Sequence, residues 1–354
     1  MPNWAESMEQ TFEYYTVDTG TWKNDKRLTS VLSSSITIDE ESDTYGSASF
    51  DLSDTFGESY VRTYLVTVQN GVTEKFPLGT HLIQTPSSTF DGKMSSISVD
   101  AYTSLLELKE TPPPIGYYIA KGENIMDIAY QLIREHCRAP VIRLKLADTL
   151  PSNFVSNSDD TWLTFLQDLV GICGYKLGVD ELGQIIFVPS TSPISLTPIF
   201  EYTDDNCSIL DANITLNHDL YQVPNVVEVV YSTEKHTYFK TAKNTDINSP
   251  VSIPNRGREI ITRITDPNIV GDVDATDSQV QLYADNMLKQ LSTVEYSMSY
   301  THGYCPVRVG DGILMNYRRA DLNNIRARVT SQTINCQTGV TVSETAVYET
   351  KLWR

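Results

Sequence analysis

Residues 160–189, DTWLTFLQDLVGICGYKLGVDELGQIIFVP, combine an amphipathic segment, a glycine stop and a hairpin pattern. Four large apolar side chains recur on one stripe at helical spacing, namely Trp162, Phe165, Leu166 and Leu169. Gly171 and Gly174 supply a helix stop. The apolar runs on either side of Asp180–Gly183 predict a hairpin that turns at these residues. The stretch therefore predicts a helix followed by a two-stranded hairpin.

A second amphipathic helix is predicted just upstream, in GENIMDIAYQLIREHC. Asn124 is a favourable N-cap residue, and the following apolar residues share one helical face: Ile125, Ile128, Ala129, Leu132 and Ile133. The triple proline Pro112–Pro114 separates this part from the preceding chain, because neither a helix nor a strand interior continues through it. Residues 112–200 therefore form a predicted α+β module of two helices and a hairpin.

The first 110 residues have the period-two alternation of β-strands. TSVLSSSITIDEES and YGSASFDLSD alternate apolar and polar side chains, and Asn70-Gly71 is a strong hairpin signal. A further strand is predicted after Asp91-Gly92, running through KMSSISVDAYTSLLEL. Five or six short strands of this kind predict a small barrel or sandwich.

The chain returns to β-strands after residue 201, interrupted by one helix over 278–293. The inward residues of this helix are predicted to be Val280, Ala284, Met287, Leu288 and Leu291. Residues 245–275 carry few strong signals, and three strands are predicted at the end of the chain. Both β regions have a glycine-led turn into a strand and a closing strand that ends in Tyr-Thr or Tyr-Glu-Thr. These shared features leave open an internal duplication, in which the two β regions are related to each other.

Composition excludes several classes of protein. The 354 residues carry 27 basic and 45 acidic side chains, a net charge of −18, which disfavours nucleic-acid binding by attraction. No run of 18 apolar residues would span a membrane, and the first residues lack a signal-peptide pattern. The five cysteines include no CxxC pair, so reduced thiols are expected. The last 55 residues are locally basic, which indicates either a solvated surface or a partner-facing patch.

No constellation of residues indicates catalysis, a cofactor or a metal. The five histidines lie in separate segments, at His81, His136, His218, His236 and His302. DVDATDSQVQLY (272–283) begins like a calcium loop, but it lacks the glycine and has Tyr283 in place of the bidentate Glu. A helix-capping cluster is expected there instead. Carboxylate pairs are frequent by chance in so acidic a chain. We therefore predict no catalytic, cofactor-binding or metal-binding residues and no enzyme activity.

Arginines cluster in the terminal β region. Arg326 and Arg328 fall on one strand face by alternation, and Arg318-Arg319 precede them across a turn. Two interpretations are open: the pair meets an acidic neighbour, or it lies on a solvated edge strand where basic residues block unwanted pairing.

The order of these segments resembles the baseplate and tail hub proteins of phages, a family related to the late-control tail proteins and to the hub part of type VI secretion spikes. The most specific similarity is the stretch 160–189, with its aromatic residue plus FL..L helix, glycine-tyrosine stop and VD..G.I.F hairpin. VPNVVEVVY, SPVSIPNRGREI, the helix 278–293 and PVRVGDGILMNY also resemble the Gram-positive prophage branch of this family.

The resemblance implies a fold that is mainly β with α+β parts. It divides the chain into a first β-barrel-like domain (1–111), the α+β module (112–200), a second, related β-barrel-like domain (201–232 plus 300–354) and an inserted strand-helix segment (233–299). It implies a homotrimer whose six similar barrels adapt a sixfold tail tube to a threefold spike.

The partners implied by the resemblance are a tail tube or distal tail protein, a central spike protein, a tape-measure protein and other baseplate subunits. DNA would pass only in transit, through an acidic lumen, and no stable membrane insertion is implied. The expected location is the virion tail tip, after assembly in the host cytoplasm. The chain resembles hubs without a hydrolase extension, so lytic and spike functions are expected on other polypeptides.

Three alternatives stay open. One is another virion tail-tip ring component, such as a distal tail protein, although the α+β module disfavours it. A second is a host-carbohydrate-binding β protein, for which the 20 tyrosines leave room. The third is a glycosidase with paired carboxylates, which would require a cleft holding two carboxyls of raised pKa.

Overall fold

The computed structural model describes residues 2–54, 57–90, 95–205, 209–233, 236–269 and 274–353. Strands take up 47% of the chain and helices 15%, so the predicted class, mainly β with α+β parts, is confirmed. The chain divides into two compact units. Unit 1 comprises residues 1–214 and 299–346, and unit 2 comprises residues 215–298 and 347–354.

The elements follow one another in three groups. The first β region consists of β1 (Glu9–Asp18), β2 (Lys23–Leu28), β3 (Val31–Asp39), β4 (Gly46–Leu52), β5 (Ser59–Gln69), β6 (Val72–Phe90) and β7 (Ser95–Tyr102). The helical module then contains α1 (Leu106–Lys109), β8 (Tyr118–Ile119), α2 (Ile125–His136), β9 (Phe154–Val155), α3 (Trp162–Gly171), β10 (Tyr175–Val179) and β11 (Ile185–Pro189). The rest of the chain contains β12 (Pro198–Thr203), β13 (Leu210–Asn217), β14 (Val226–Ser232), β15 (Thr237–Lys243), α4 (Ile253–Arg256), β16 (Ile261–Thr265), α5 (Asp277–Leu291), β17 (Thr293–Gly303), β18 (Gly312–Tyr317), β19 (Leu322–Cys336) and β20 (Thr341–Lys351).

One large sheet joins strands from both ends of the sequence. Its order is β13-β17-β20-β19-β3-β4-β7-β6-β5-β1-β2, with β18 paired to β19 and β12 paired to β18. The two β regions meet where β19 pairs antiparallel with β3, from Ser331 opposite Asp39 to Cys336 opposite Ser34. Over the described residues the sheet has free edges and is not closed into a barrel. The division of the sequence into two separate barrel-like domains and two further segments stays a prediction.

The helical module forms as its local signals predict. The Asn124 side chain accepts a hydrogen bond from the backbone N–H of Asp127, which caps α2. Trp162, the first residue of α3, is buried with the rest of the predicted stripe, and the hairpin β10–β11 pairs from Tyr175 opposite Pro189 to Val179 opposite Ile185. The buried faces of α2 and α3 share one apolar core with Trp22, Tyr60 and other residues of the first β region. This core fixes the module against the sheet within unit 1.

The structure differs from the sequence prediction in two places. The strand predicted to run through AYTSLLEL ends at Tyr102, and the chain turns into the short helix α1. The Thr103 hydroxyl accepts a hydrogen bond from the Leu105 N–H, and this local bond favours a turn over an extended strand. The weakly patterned stretch 245–275 contains α4 and β16. Asp91-Gly92 and Cys207 lie outside the described residues, as does the start of the calcium-like stretch.

Unit 2 is a small two-layer α/β arrangement. Its sheet has the order β15-β14-β16, and β14 pairs antiparallel with β15 and parallel with β16. Helix α5 covers one face, where Val280, Ala284 and Leu288 pack against Val227 and Val229. The predicted third helix is thus confirmed, and Thr276 and Gln279 form its capping box as expected for that stretch.

Within the described residues, no helix combines the length and apolarity required to cross a bilayer.

Candidate assembly surfaces

The described residues contain no group of three or more His, Cys, Asp and Glu side chains that could hold a metal ion. Burial lowers the pKa of His81 to about 4, and His136 stacks on Trp162 with 4.2 Å between ring centroids. His218 Nε2 lies 2.9 Å from the Tyr348 hydroxyl. These three side chains are thus engaged in packing and local hydrogen bonds, which is the ordinary structural use of histidine.

A buried polar network lies within the second β region, and no sequence motif indicated it. His302 Nε2 and Glu344 Oε2 are 3.2 Å apart, and both side chains are fully buried. The Tyr300 hydroxyl donates to Glu344 at 2.7 Å, and Gln332 Nε2 donates to it at 2.6 Å. Tyr202 lies 3.1 Å from His302 Nε2. Every charged atom of the pair therefore has a partner, as a buried ion pair requires.

The surroundings of this pair keep both members charged. Burial opposes the charge of His302, but its contacts with Cys305 and Glu344 raise its pKa to about 10. Burial likewise opposes the carboxylate of Glu344, but the His302, Tyr300 and Gln332 bonds leave its pKa below the usual value. Neither side chain reaches the surface, so the pair is part of the buried interior of the second β region.

The hairpin turn Asp180–Gly183 sits in a socket formed by the first β region. The buried Arg62 donates from Nη2 to the Leu182 carbonyl at 2.7 Å, and Trp22 Nε1 donates to the same oxygen at 2.8 Å. The Thr80 hydroxyl donates to the Glu181 carbonyl at 3.1 Å, and Ser104 Oγ donates to the Gly183 carbonyl at 3.3 Å. The socket thus satisfies three consecutive backbone carbonyls of the turn, which fixes the hairpin in position.

The second β region contacts the same turn. Arg308 Nε forms an ion pair with the Glu181 carboxylate, and its Nη2 donates to the Tyr304 hydroxyl at 3.2 Å. Three segments that are far apart in the sequence therefore meet at the hairpin turn: the first β region, the helical module and the second β region. The sequence signal was present only in part, because the turn was predicted but its partners were not.

The two arginines predicted to share a strand face have different environments. Arg328 pairs with Glu40 through two hydrogen bonds, and the side chains are 15% and 7% exposed. Arg326 is exposed on the same strand. Arg319 lies 3.9 Å from Asp204, at the long end of an ion pair. Arg328 thus meets an acidic neighbour across the β19–β3 junction, while the partner-facing patch proposed for the C-terminal part stays a prediction.

In the middle of the large sheet, one face carries a continuous patch of small polar side chains and aspartates. We call it the hydroxyl face, and along the strands β17, β20, β19, β3, β4 and β7 it consists of Ser299, Thr301, Thr341, Ser343, Thr345, Ser331, Thr333, Asn335, Ser33, Ser35, Thr37, Asp39, Ser47, Ser49, Asp51, Ser98 and Asp100. The opposite face of the same strands is buried, for example at Ile36, Phe50 and Ile334. The alternation was visible in the sequence, but the order of the strands was not.

Registers and hydrogen bonds show that these residues share one face. Ser35 lies opposite both Asn335 and Ser49, and Ser49 lies opposite Asp100. Neighbouring side chains bond to each other across the strands: Thr37 to Thr333 at 3.0 Å, Ser33 to Asp51 at 2.6 Å, Asn335 to Thr341 at 3.2 Å, Ser343 to Thr301 at 3.2 Å and Thr345 to Ser299 at 3.0 Å. The hydroxyl face therefore continues across the junction between the two β regions.

Exposed apolar side chains mark a different surface, on the helical module. Ile115 is fully exposed, and Tyr118 and Val155 are 60% and 56% exposed. Tyr118 and Val155 are directly paired between β8 and β9. Exposed apolar residues in such small numbers are an ordinary feature of a protein surface.

Comparison with known proteins gives a consistent fold. No family model and no curated relative matches the chain. Among solved structures, the tail protein from Neisseria meningitidis has a TM-score of 0.64 at 11% identity, and the similarity covers 95% of this chain and 96% of that one. The 43 kDa tail protein of prophage MuSo2 from Shewanella oneidensis has a TM-score of 0.63 at 10% identity, covering 96% and 97%.

A third solved structure is similar over part of its length. The Francisella PdpA–VgrG complex has a TM-score of 0.56 at 8% identity, and the similarity covers 98% of this chain and 53% of that one. Because the first two similarities extend over nearly all of both chains, they concern the whole architecture and not one shared module. The chain has the fold of phage and prophage tail proteins, in agreement with its resemblance to the tail hub family.

Proposed function

We propose that this chain is a structural hub protein of a phage or prophage tail tip. The observation that carries the proposal is the similarity of fold to two tail proteins, which covers at least 95% of this chain and of each of those two. The single sheet that joins both β regions supports it, because a ring subunit with two linked β regions offers two similar surfaces to its neighbours.

The proposed assembly is a homotrimer that forms a pseudo-sixfold ring. Three copies with two β regions each can mate with a sixfold tail tube, or a distal tail protein, on one side and with a threefold central spike on the other. The ring leaves a channel for the tape-measure protein and for DNA, and its outer surface contacts other baseplate subunits. The similarity to a complex that contains VgrG supports a spike partner. The place of action is the virion tail tip, after assembly in the host cytoplasm.

The proposed role is structural and not enzymatic. Burial raises the pKa of Asp180 and Asp311. Each of these carboxylates, however, accepts a backbone N–H of its own turn, from Gln184 at 2.7 Å and from Arg308 at 2.8 Å respectively. Turn formation therefore accounts for the environment of both carboxylates, without a catalytic role.

Within the described residues, the strongly exposed aromatic side chains belong to four different parts of the chain, which does not support the carbohydrate-binding alternative. Four exposed aromatic side chains are Phe90, Tyr118, Tyr221 and Phe239, and they lie in β6, in β8, in a loop and in β15. Stacking on sugar rings would require several of them on one surface. The distribution therefore favours the hub over a carbohydrate-binding protein.

The test is the mass of the purified chain in solution. Light scattering should give three times 39.7 kDa, about 119 kDa, and electron-microscope images of that species should show a ring with six lobes. The same measurement is repeated with a tail tube protein added, since ring closure can depend on that partner. A chain that stays monomeric alone and with the tube protein would overturn the proposal.

A further inference from the structure

We propose that the hydroxyl face lines the channel of the assembled ring and is the surface past which DNA moves. The inference rests on the proposed function and adds to it the identity of the channel wall. It replaces the strongly acidic lumen expected from the sequence with a wall made mainly of hydroxyl groups.

The chemistry of the hydroxyl face suits a polyanion that must pass without being held. Proteins retain DNA by neutralising its phosphates with Lys and Arg. None of the seventeen residues of the hydroxyl face is basic, although the chain has 27 basic residues, and three of the seventeen are Asp. Lys351 follows on the same side of β20 but lies beyond this patch, so the patch itself offers duplex DNA no cation to bind and only a weak repulsion.

The side chains of the hydroxyl face are also partly satisfied by one another. Thr37 bonds to Thr333 across the junction of the two β regions, and Ser299 bonds to Thr345 at the other side of the face. Hydrogen-bonding groups that already have partners gain little from a passing molecule. Short side chains also project little from the sheet, so they would make few contacts with a DNA duplex that moves past them.

Another sheet surface in the same protein has a different composition. On β1, β5 and β6, Lys75 lies 4.2 Å from the Tyr15 ring centroid and 4.1 Å from that of Tyr64, and it pairs with Glu13 at 2.7 Å. Arg27 of β2 pairs with the same glutamate. Long charged and aromatic side chains thus occur on another sheet surface of this protein, so general surface composition does not account for the hydroxyl face.

The dimensions of the hydroxyl face also fit a channel wall. It spans six adjacent strands, which corresponds to about 24 Å at the usual strand spacing. Because β19 pairs directly with β3, no seam separates the contributions of the two β regions. Three such faces around a threefold axis would give a continuous polar lining.

Thiol labelling of the assembled trimer tests the placement of the hydroxyl face. The probe is S49C, because Ser49 is exposed at the centre of β4, and the matched control is S158C, which is exposed on the helical module. Both are made in a C173S/C207S background, since Cys173 is partly exposed and Cys207 lies outside the described residues. Each variant is reacted with a small maleimide and with a maleimide that carries a long polyethylene glycol chain.

The expected result is size-dependent protection of S49C. In the trimer it should react with the small reagent as fast as the unfolded chain does, and with the large reagent slower by about an order of magnitude or more, while S158C reacts with both. Equal reaction of S49C with the large reagent would place the hydroxyl face outside the ring, and complete protection from both reagents would place it in a subunit interface. Either outcome overturns the inference. The proposed function would still stand in that case, because it is tested separately by the mass of the trimer.

Filter binding of duplex DNA tests the chemistry of the wall. The wild-type trimer should retain no linear duplex DNA at low salt, where basic surfaces bind most strongly. Salt-sensitive retention that an S49D substitution abolishes would show that DNA is held at the hydroxyl face and would overturn the inference. Absence of any trimer would instead overturn the proposed function, and the inference with it.

Discussion

The socket of the hairpin turn predicts an unusually large cost for one small substitution, G183A. Gly183 has φ +77°, and a Cβ built on it would lie 2.8 Å from Thr80 Cβ and 3.2 Å from Trp22 Cζ2. The left-handed conformation alone costs a non-glycine residue about 1 kcal/mol. Overpacking against a rigid socket adds about 2 kcal/mol. We therefore expect G183A to destabilise unit 1 by about 3 kcal/mol in total.

The matched control is G174A, at the start of the same hairpin. Gly174 has φ +76°, but nothing lies within 4 Å of its would-be Cβ, so only the conformational cost of about 1 kcal/mol applies. For a unit of this size each kcal/mol lowers the melting temperature by roughly 2–4 °C. Scanning calorimetry should therefore show a fall of roughly 6–12 °C for G183A and roughly 2–4 °C for G174A. Equal shifts for the two variants would refute the socket, because they would show that the turn has room for a methyl group.

Three further predictions concern buried polar groups. R62M keeps most of the side-chain volume but leaves the Leu182 carbonyl with one donor fewer, and we expect a loss of about 3 kcal/mol in urea unfolding. H302Q leaves Glu344 without its cation, and we expect it to lower the free energy of unfolding by about 3–5 kcal/mol. In the wild type the stabilisation by His302 should be complete below pH 6.5 and should disappear as the pH rises towards its folded pKa of about 10. The free energy of unfolding of H302Q should therefore not show this fall between pH 6.5 and 10. His81 has a folded pKa of about 4, below its unfolded value, so the free energy of unfolding should fall by about 3 kcal/mol as the pH decreases from 6.5 to 4. H81L should show a smaller fall over the same pH range. An unchanged pH dependence in H81L would count against a buried neutral His81.

Local structure could be predicted from the sequence because its determinants are local. Helix α2 begins where Asn124 caps it, and α3 is followed by the glycines that stop it. The hairpin turn was predicted from the residues Asp180–Gly183 themselves. In each case the residues that decide the conformation lie within a few positions of one another, so spacing and turn chemistry are sufficient.

Long-range pairing could not be predicted in the same way. Thr37 and Thr333 form a hydrogen bond although they are 296 positions apart in the sequence. The sequence of neither strand indicates which strand it pairs with. The strand β2, KNDKRL, also has no apolar alternation to mark it, because all of its residues except the last are exposed. The hydroxyl face depends on strand order, so its alternation was visible in single strands while its extent was not.

The same dependence on strand order explains why no sequence motif marks a functional surface. The proposed hub function would depend on the placement of large surfaces, and buried contacts at the hairpin turn and at the β19–β3 junction fix their placement in this chain. Arg62 and Arg308 hold the turn from the two β regions, and Arg328 with Glu40 ties those regions to each other. If the ring transmits load from tube to spike, these contacts carry it within unit 1. Substitutions there should therefore impair assembly and stability together, whereas substitutions on the hydroxyl face should leave both intact and alter only what passes through the channel.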